Sequence, residues 1–188
     1  MSATLKQPMT LAEFLAWEER QELRWEFDGT RPVAMNGGTW AHQTIGANIV
    51  TALTNRLRGK PCRPGGPSMK IEVMGRIRYP DAFVVCSPRS PKDTVVRDPT
   101  VVFEVLSDGT SRTDRIAKLR EYAATPSIQR YVILEQNAIG AMVFVRKGDN
   151  LLSETMIEGE ILHLPEIGIE IPMAELYEGV EVEPLEEL

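Results

Sequence analysis

A chain of 188 residues, 43% hydrophobic and 26% charged, has the size and balance of one globular unit, and residues 1–188 are expected to form a single domain. No apolar run approaches the roughly 18–20 residues needed to cross a bilayer, and the N-terminal MSATLKQPMTLAEFLAW has no basic segment, long apolar stretch or cleavage site of a signal peptide. Cys62 and Cys86 are too few and too isolated for a disulfide framework or a zinc site, so membrane, secreted and zinc-binding classes drop out and a soluble cytoplasmic protein is expected.

The elements follow in chain order. Thr10 with Glu13 is a capping box, and Leu11, Phe14 and Leu15 give the face of a short helix over about 10–19. RWEFD (24–28) alternates Trp25 and Phe27 with charges, then Asp28-Gly29 turns the chain into RPVAM, which predicts a hairpin. His42, Ile45, Ile49, Leu53 and Leu57 recur every three or four residues and predict a long amphipathic helix over 39–57. His42 shares a face with Ile45 and Ile49, which gives it a packing or capping role rather than that of a base. GKPCRPGGP then reads as loop.

Strand-like runs come next at SMKIEVM (68–74), IRYPDAFVVC (77–86) and TVVFEVLS (100–107), with Cys86 as a small core residue and a Pro- and Ser-rich connection between the last two. Helical spacing returns over 111–124, followed by QRYVILE (129–135), IGAMVFVRK (139–147) and several short acidic strands. The order suits an α/β sandwich around a mixed sheet better than a repeating βαβ array.

Charge is segregated along the chain. The formal net charge is −6, yet residues 31–80 hold eight basic residues (Arg31, Arg56, Arg58, Lys60, Arg63, Lys70, Arg76 and Arg78) against Glu72 alone. Residues 149–188 hold twelve acids and no Lys or Arg. Because salt limits exposed charges to about 10 Å of reach, a basic face for phosphates is compatible with a negative total. Both runs are equally what solvated faces look like.

Two carboxylates break the apolar pattern. Glu104 sits within VVFEVL, apolar on both faces of the strand, and Asp81 opens the run AFVV. Burying an unpaired carboxylate costs several kcal/mol, and two near each other repel unless a cation lies between them. A hard divalent cation with oxygen ligands, magnesium above all, answers both problems. The plainer alternatives are that Glu104 is a salt-bridge partner or lies at a strand end, and that Asp81 is a turn residue after Pro80.

RYPDAFVV, VVFEVLS, TSRTDRIAKLREYA and RYVIL, in that order and spacing, resemble the Uma-two family, a former domain of unknown function within the PD-(D/E)xK restriction-endonuclease superfamily. WEFDG (25–29), His42-Gln43 and GIEIPMAELY (168–177) match its hairpin, helix start and C-terminal strand, so the resemblance spans nearly the whole chain. It implies a restriction-endonuclease-like core, a mixed sheet flanked by helices, with an N-terminal hairpin and extra C-terminal strands. It also implies Asp81 and Glu104 as ligands of Mg2+ or Mn2+. The superfamily's lysine two residues past the glutamate is absent, because Leu106 stands there.

The resemblance offers Lys118 in its place, reaching in from the following helix, with Glu26 completing the acidic cluster. Asp114, Lys118 and Glu121 share a helix face opposite Ile116, Leu119 and Ala123. That is also the pattern of a solvated face, whose Asp114–Lys118 pair is worth only about 0.2–0.5 kcal/mol. Asp114, after Ser111, further suits the first turn of that helix.

Three departures from the family pattern bear on loop geometry: Asp108-Gly109 after the glutamate strand, Glu135-Gln136-Asn137 for an aspartate-proline pair, and Thr30-Arg31 for an acid. The expected activity is metal-dependent hydrolysis of nucleic-acid phosphodiesters, DNA before RNA, by a homodimer with no membrane partner. A catalytically silent binding or oligomeric interaction protein on the same fold is the alternative.

Overall fold

The computed structural model describes residues 8–35, 37–106 and 112–182, with only the backbone described for 112–114. Among the described residues, four helices and thirteen strands run in the order α1 (Leu11–Glu18), β1 (Trp25–Phe27), β2 (Pro32–Ala34), α2 (Trp40–Leu57), β3 (Arg63–Gly65), β4 (Lys70–Val73), β5 (Arg76–Arg78), β6 (Ala82–Val85), β7 (Val95–Val96), β8 (Val101–Val105), α3 (Arg112–Ala123), β9 (Arg130–Leu134), β10 (Gly140–Lys147), β11 (Asn150–Ile157), β12 (Ile161–Leu164), β13 (Ile169–Pro172) and α4 (Met173–Leu176).

A six-stranded sheet of order β11-β10-β9-β8-β6-β3 forms the centre. Its β8–β9 pair is parallel, with α3 as the crossover between the two strands, and the other pairs are antiparallel. Both strands of that pair are apolar on both faces because both faces are covered. On one face Ile45, Ile49, Leu53 and Leu57 of α2 pack with Val84, Phe103 and Val132, together with the two-stranded β12–β13 sheet and α4. On the other, Tyr122 of α3 and Ile71, Val73 and Val96 pack against Phe83, Val102 and Tyr131. Ile71, Val73 and Val96 belong to a second sheet of order β2-β1-β5-β4-β7, whose far end is closed by Phe14 of α1 stacked on Phe27 at 4.9 Å.

Local signals explain the element ends. Thr10 and Glu13 form the reciprocal capping box of α1. Thr39 caps α2 by accepting from His42 N–H at 3.1 Å, and its own hydroxyl donates to buried Gln136 at 2.6 Å, tying the helix start to the β9–β10 connection. In the β1–β2 hairpin Asp28 Oδ1 accepts from Thr30 N–H and Arg31 N–H, and Gly29 takes the positive φ of +98° that a side chain would resist.

The structure departs from the sequence expectations at three places. IRYPDAFVVC is two strands in different sheets, β5 and β6, with Tyr79-Pro80-Asp81 carrying the chain from one layer to the other. The stretch expected to be all loop contains β3, an edge strand pairing Arg63–Gly65 with Val85–Phe83. That register sets the residue before β3 against the residue after β6, and Cys62 and Cys86 are disulfide-bonded there. The turn expected at Asp108-Gly109 and the side chain of Asp114 lie outside the described residues.

Candidate active site

The pairing of β6 with β8 joins Ala82 to Phe103, Phe83 to Val102 and Val84 to Val101. Continued by one residue, this register sets Asp81 opposite Glu104. Residues so placed share a sheet face, with Cβ atoms about 4.5–5.5 Å apart. The face is the one covered by α3.

Asp81 is held by both neighbours. Val105 N–H donates to its Oδ2 at 2.7 Å, and His42 Nε2, from the first turn of α2, lies 3.4 Å from the same oxygen. Among the described residues no donor reaches Oδ1. Glu104 accepts from Lys118 Nζ at 2.9 Å through Oε2 and from Tyr122 Oη at 2.8 Å through Oε1. Its side chain is only 12% exposed. Burial, with the charges of Asp81 and Glu26 adding to it and that of Lys118 opposing, pushes its carboxyl up to about 7. The hydrogen bond to Asp81 raises the His42 pKa against the opposing effect of burial.

Glu26 stands behind Lys118, its Oε1 3.7 Å from Nζ. The same oxygen accepts from Tyr79 N–H at 3.1 Å, and Oε2 accepts from Arg78 Nη1 at 3.0 Å. Arg78 continues the network with a two-pronged bond to Glu121, at 2.8 and 2.7 Å, and Arg76 Nε reaches the same carboxylate at 3.2 Å. Four carboxylates (Asp81, Glu104, Glu26 and Glu121) thus meet the permanent cations Lys118, Arg78 and Arg76.

The four residues singled out by sequence therefore come together. Two residues of the polar stripe of α3 that resembled a solvated face, Lys118 and Glu121, are turned inward. Lys118 and Glu121 point into the charged cluster, while Ile116 on the opposite side is 42% exposed. Sequence reasoning missed His42 as a neighbour of Asp81, and it missed Arg78, Glu121 and Tyr122. The signal for Arg78 was an arginine directly before a strand-breaking Tyr-Pro. The signal for Tyr122 was its place four residues beyond Lys118, on the same side of the helix.

The basic segment is largely used inside the protein. Lys70 is buried against Glu18, Arg56 pairs with Glu175, and Lys60 and Arg63 donate to main-chain carbonyls. Arg31 and Arg58 are left exposed with no ion pair among the described residues. On α3, Arg115 and Arg120 are exposed close in sequence to Lys118.

The donor set suits a small hard cation. Among the described residues no three His, Cys, Asp or Glu side chains converge as a ready metal cage. Mg2+ is usually held by one or two carboxylates with water and substrate oxygens completing its shell. Asp81, whose Oδ1 meets no donor among the described residues, opposite a buried carboxylate that resists ionisation, meets that requirement.

Residues 11–174 match the family model Uma2, described as "Putative restriction endonuclease". The uncharacterized protein slr1290 of Synechocystis sp. is 32% identical over 172 residues, covering 89% of this chain and 90% of that protein. A second uncharacterized Synechocystis protein, sll1609, is 25% identical over 159 residues, covering 80% and 89%. A crystal structure described as a putative nuclease belonging to DUF820, from Anabaena variabilis, superposes with a TM-score of 0.77 at 16% identity, covering 91% of this chain and 98% of that one. The family match spans residues 11–174 and the structural likeness covers 91% of the chain, so the chain has the mixed α/β nuclease fold and belongs to the Uma2 (Uma-two) family.

Proposed function

We propose that this protein is a metal-dependent endonuclease that hydrolyses nucleic-acid phosphodiesters, DNA in particular, with Asp81 and Glu104 holding Mg2+ or Mn2+. The observation that carries the reading is the pair of carboxylates opposed across β6 and β8, with an ammonium 2.9 Å from one of them. Family membership supports nuclease chemistry. A divalent ion bound there supplies a Lewis acid for a phosphate oxygen and a water of lowered pKa.

The chain's own residues do the rest. Val105 N–H and Tyr122 Oη fix the two carboxylates in orientation. Lys118, held between Glu104 and Glu26, offers N–H donors to the attacking water or to charge developing on the phosphate. It comes from α3, whereas a lysine at the Leu106 position would share the face of Glu104 directly, since alternate strand residues do. Arg115 and Arg120 on the outside of α3 are the basic groups best situated to meet the phosphate backbone. A cytoplasmic location goes with this substrate.

The second reading, a catalytically silent binding protein, draws on one observation: both oxygens of Glu104 already have protein donors. Thermal melting with added Mn2+, alongside plasmid cleavage, separates the two. An active enzyme is stabilised by Mn2+ and nicks plasmid, and Glu104→Ala does neither. A wild type indifferent to Mn2+ and inert on plasmid and on single strands ends the enzymatic reading.

A further inference from the structure

We propose that the outer edge of β11 is the docking site for a second copy of this chain, joining two six-stranded sheets into one continuous sheet. The inference is independent of the metal site. β11 is eight residues long, lies at the end of its sheet and is exposed on both faces over most of its length. The other sheet edges are short or interrupted. β3 is three residues including Pro64, β2 is three including Pro32, β7 is two residues, and β12 and β13 are four each, β13 ending in Pro172. β11 has no Pro, Gly or Lys, and Glu154 is its single charge, so it carries few of the devices that keep an edge from pairing.

The open hydrogen-bonding row can be read off. Lys147 and Asn150 close a two-residue turn at Gly148-Asp149, with Gly148 at φ +60°, so they form a hydrogen-bonded pair. Pairs then alternate, and Leu151, Ser153, Thr155 and Ile157 turn their N–H and C=O groups away from β10. Ile157 N–H is already taken by Glu160 Oε2 at 2.7 Å, which agrees with that parity. The free row is Leu151, Ser153 and Thr155, symmetric about its middle member.

A second identical strand, antiparallel about a two-fold axis at Ser153, meets this row group for group. Ser153 then pairs with the partner's Ser153, and Leu151 with the partner's Thr155. On the opposite face Leu152, 54% exposed here, lies diagonal to the partner's Leu152 and the partner's Met156. Ile157, 61% exposed here, lies diagonal to the partner's Leu151. Shifting the axis to Glu154 sets two carboxylates directly opposite each other, and shifting it to Thr155 calls on the Ile157 N–H that Glu160 occupies. Ser153 avoids both and uses all three free residues, whereas an axis at Leu152 leaves Thr155 opposite the turn at Asp149.

The test combines sedimentation with cysteine scanning. The wild type should sediment with the mass of two chains, and Ser153→Pro, which removes an outward N–H and no bond to β10, should raise the dimer dissociation constant about tenfold or more. Under mild oxidation Ser153→Cys should cross-link two chains, while Leu152→Cys and Glu154→Cys should not. A wild type that stays monomeric, a dimer left intact by a folded Ser153→Pro, or cross-linking at 152 or 154 in place of 153 overturns the proposal. Should Ser153→Pro fail to fold, the cross-linking pattern decides alone.

Discussion

Lys118 Nζ lies 2.9 Å from Glu104 Oε2, although the two residues come from different elements, α3 and β8. The ammonium reaches the strand carboxylate from the helix that covers it. Replacing it separates catalysis from architecture. Lys118→Met should reduce plasmid cleavage about a hundredfold, in the range for losing one preorganised donor, and should leave Mn2+-induced stabilisation in place. If turnover is unchanged, Lys118 serves only as a counter-ion to the buried carboxylates.

Asp81→Ala and Glu104→Ala should each abolish detectable cleavage and the thermal shift with Mn2+ while the far-ultraviolet spectrum stays native. Glu104→Ala also removes the acceptor of Tyr122 Oη, so a modest loss of stability, about 1–3 kcal/mol for an orphaned buried group, accompanies it. Full activity in either variant would refute the ligand assignment.

The pH dependence of stability has a definite sign. Glu104 titrates at about 7 in the folded chain against a reference of 4.5. Between those values the native state holds a proton that the unfolded state has lost, so stability falls as pH rises through that window. His42 acts in the same direction: the stability from its raised pKa is complete below 6.5 and disappears as pH climbs past its native value. The melting temperature of metal-free wild type, less that of Glu104→Gln, should therefore decline from pH 4.5 to 7, and added Mn2+ should flatten the decline. A difference that grows with pH without metal would contradict the buried-carboxyl account.

Arg78 is buried between Glu26 and Glu121. Arg78→Met keeps the side chain's bulk and leaves two enclosed carboxylates short of their counter-charge. The cost should be about 3–5 kcal/mol, as for breaking a buried pair from one side, measured by urea denaturation. The double variant Arg78→Met/Glu121→Gln should recover part of it, and no recovery would mean the two act separately.

Gly65 of β3 faces the ring of Phe83, and a Cβ there would overlap the aromatic carbons. Gly65→Ala should cost about 1–3 kcal/mol by overpacking. Since Phe83 is two residues from Asp81 on the same face, Mn2+ affinity should weaken as well. A variant as stable as wild type would show that β3 can move aside.

Much of this could be read from the chain, for identifiable reasons. α2 was legible because Ile45, Ile49, Leu53 and Leu57 carry the helical period without interruption. Asp81 and Glu104 stood out because carboxylates are costly inside apolar strands. What sequence reasoning missed depended on partners distant in sequence. The polar stripe of α3 has the same pattern whether it faces water or a buried arginine, and Arg78 lies 43 positions before Glu121. β3 is hidden by Pro64 and Gly65 and exists because β6 offers it an edge. The Cys62–Cys86 bond follows from that same pairing. Tyr79-Pro80-Asp81 looked continuous with its neighbours because β5 and β6 are both apolar, although Pro80 is where a ladder has to stop.

That tripeptide has a mechanical consequence. The hinge between the two layers is also the seat of a proposed ligand, so a slip of one layer over the other would carry Asp81 away from Glu104 before either layer melted. Gentle heating, or dilute denaturant, should silence the protein while its spectroscopic signals still look native, and cooling should restore it just as quickly.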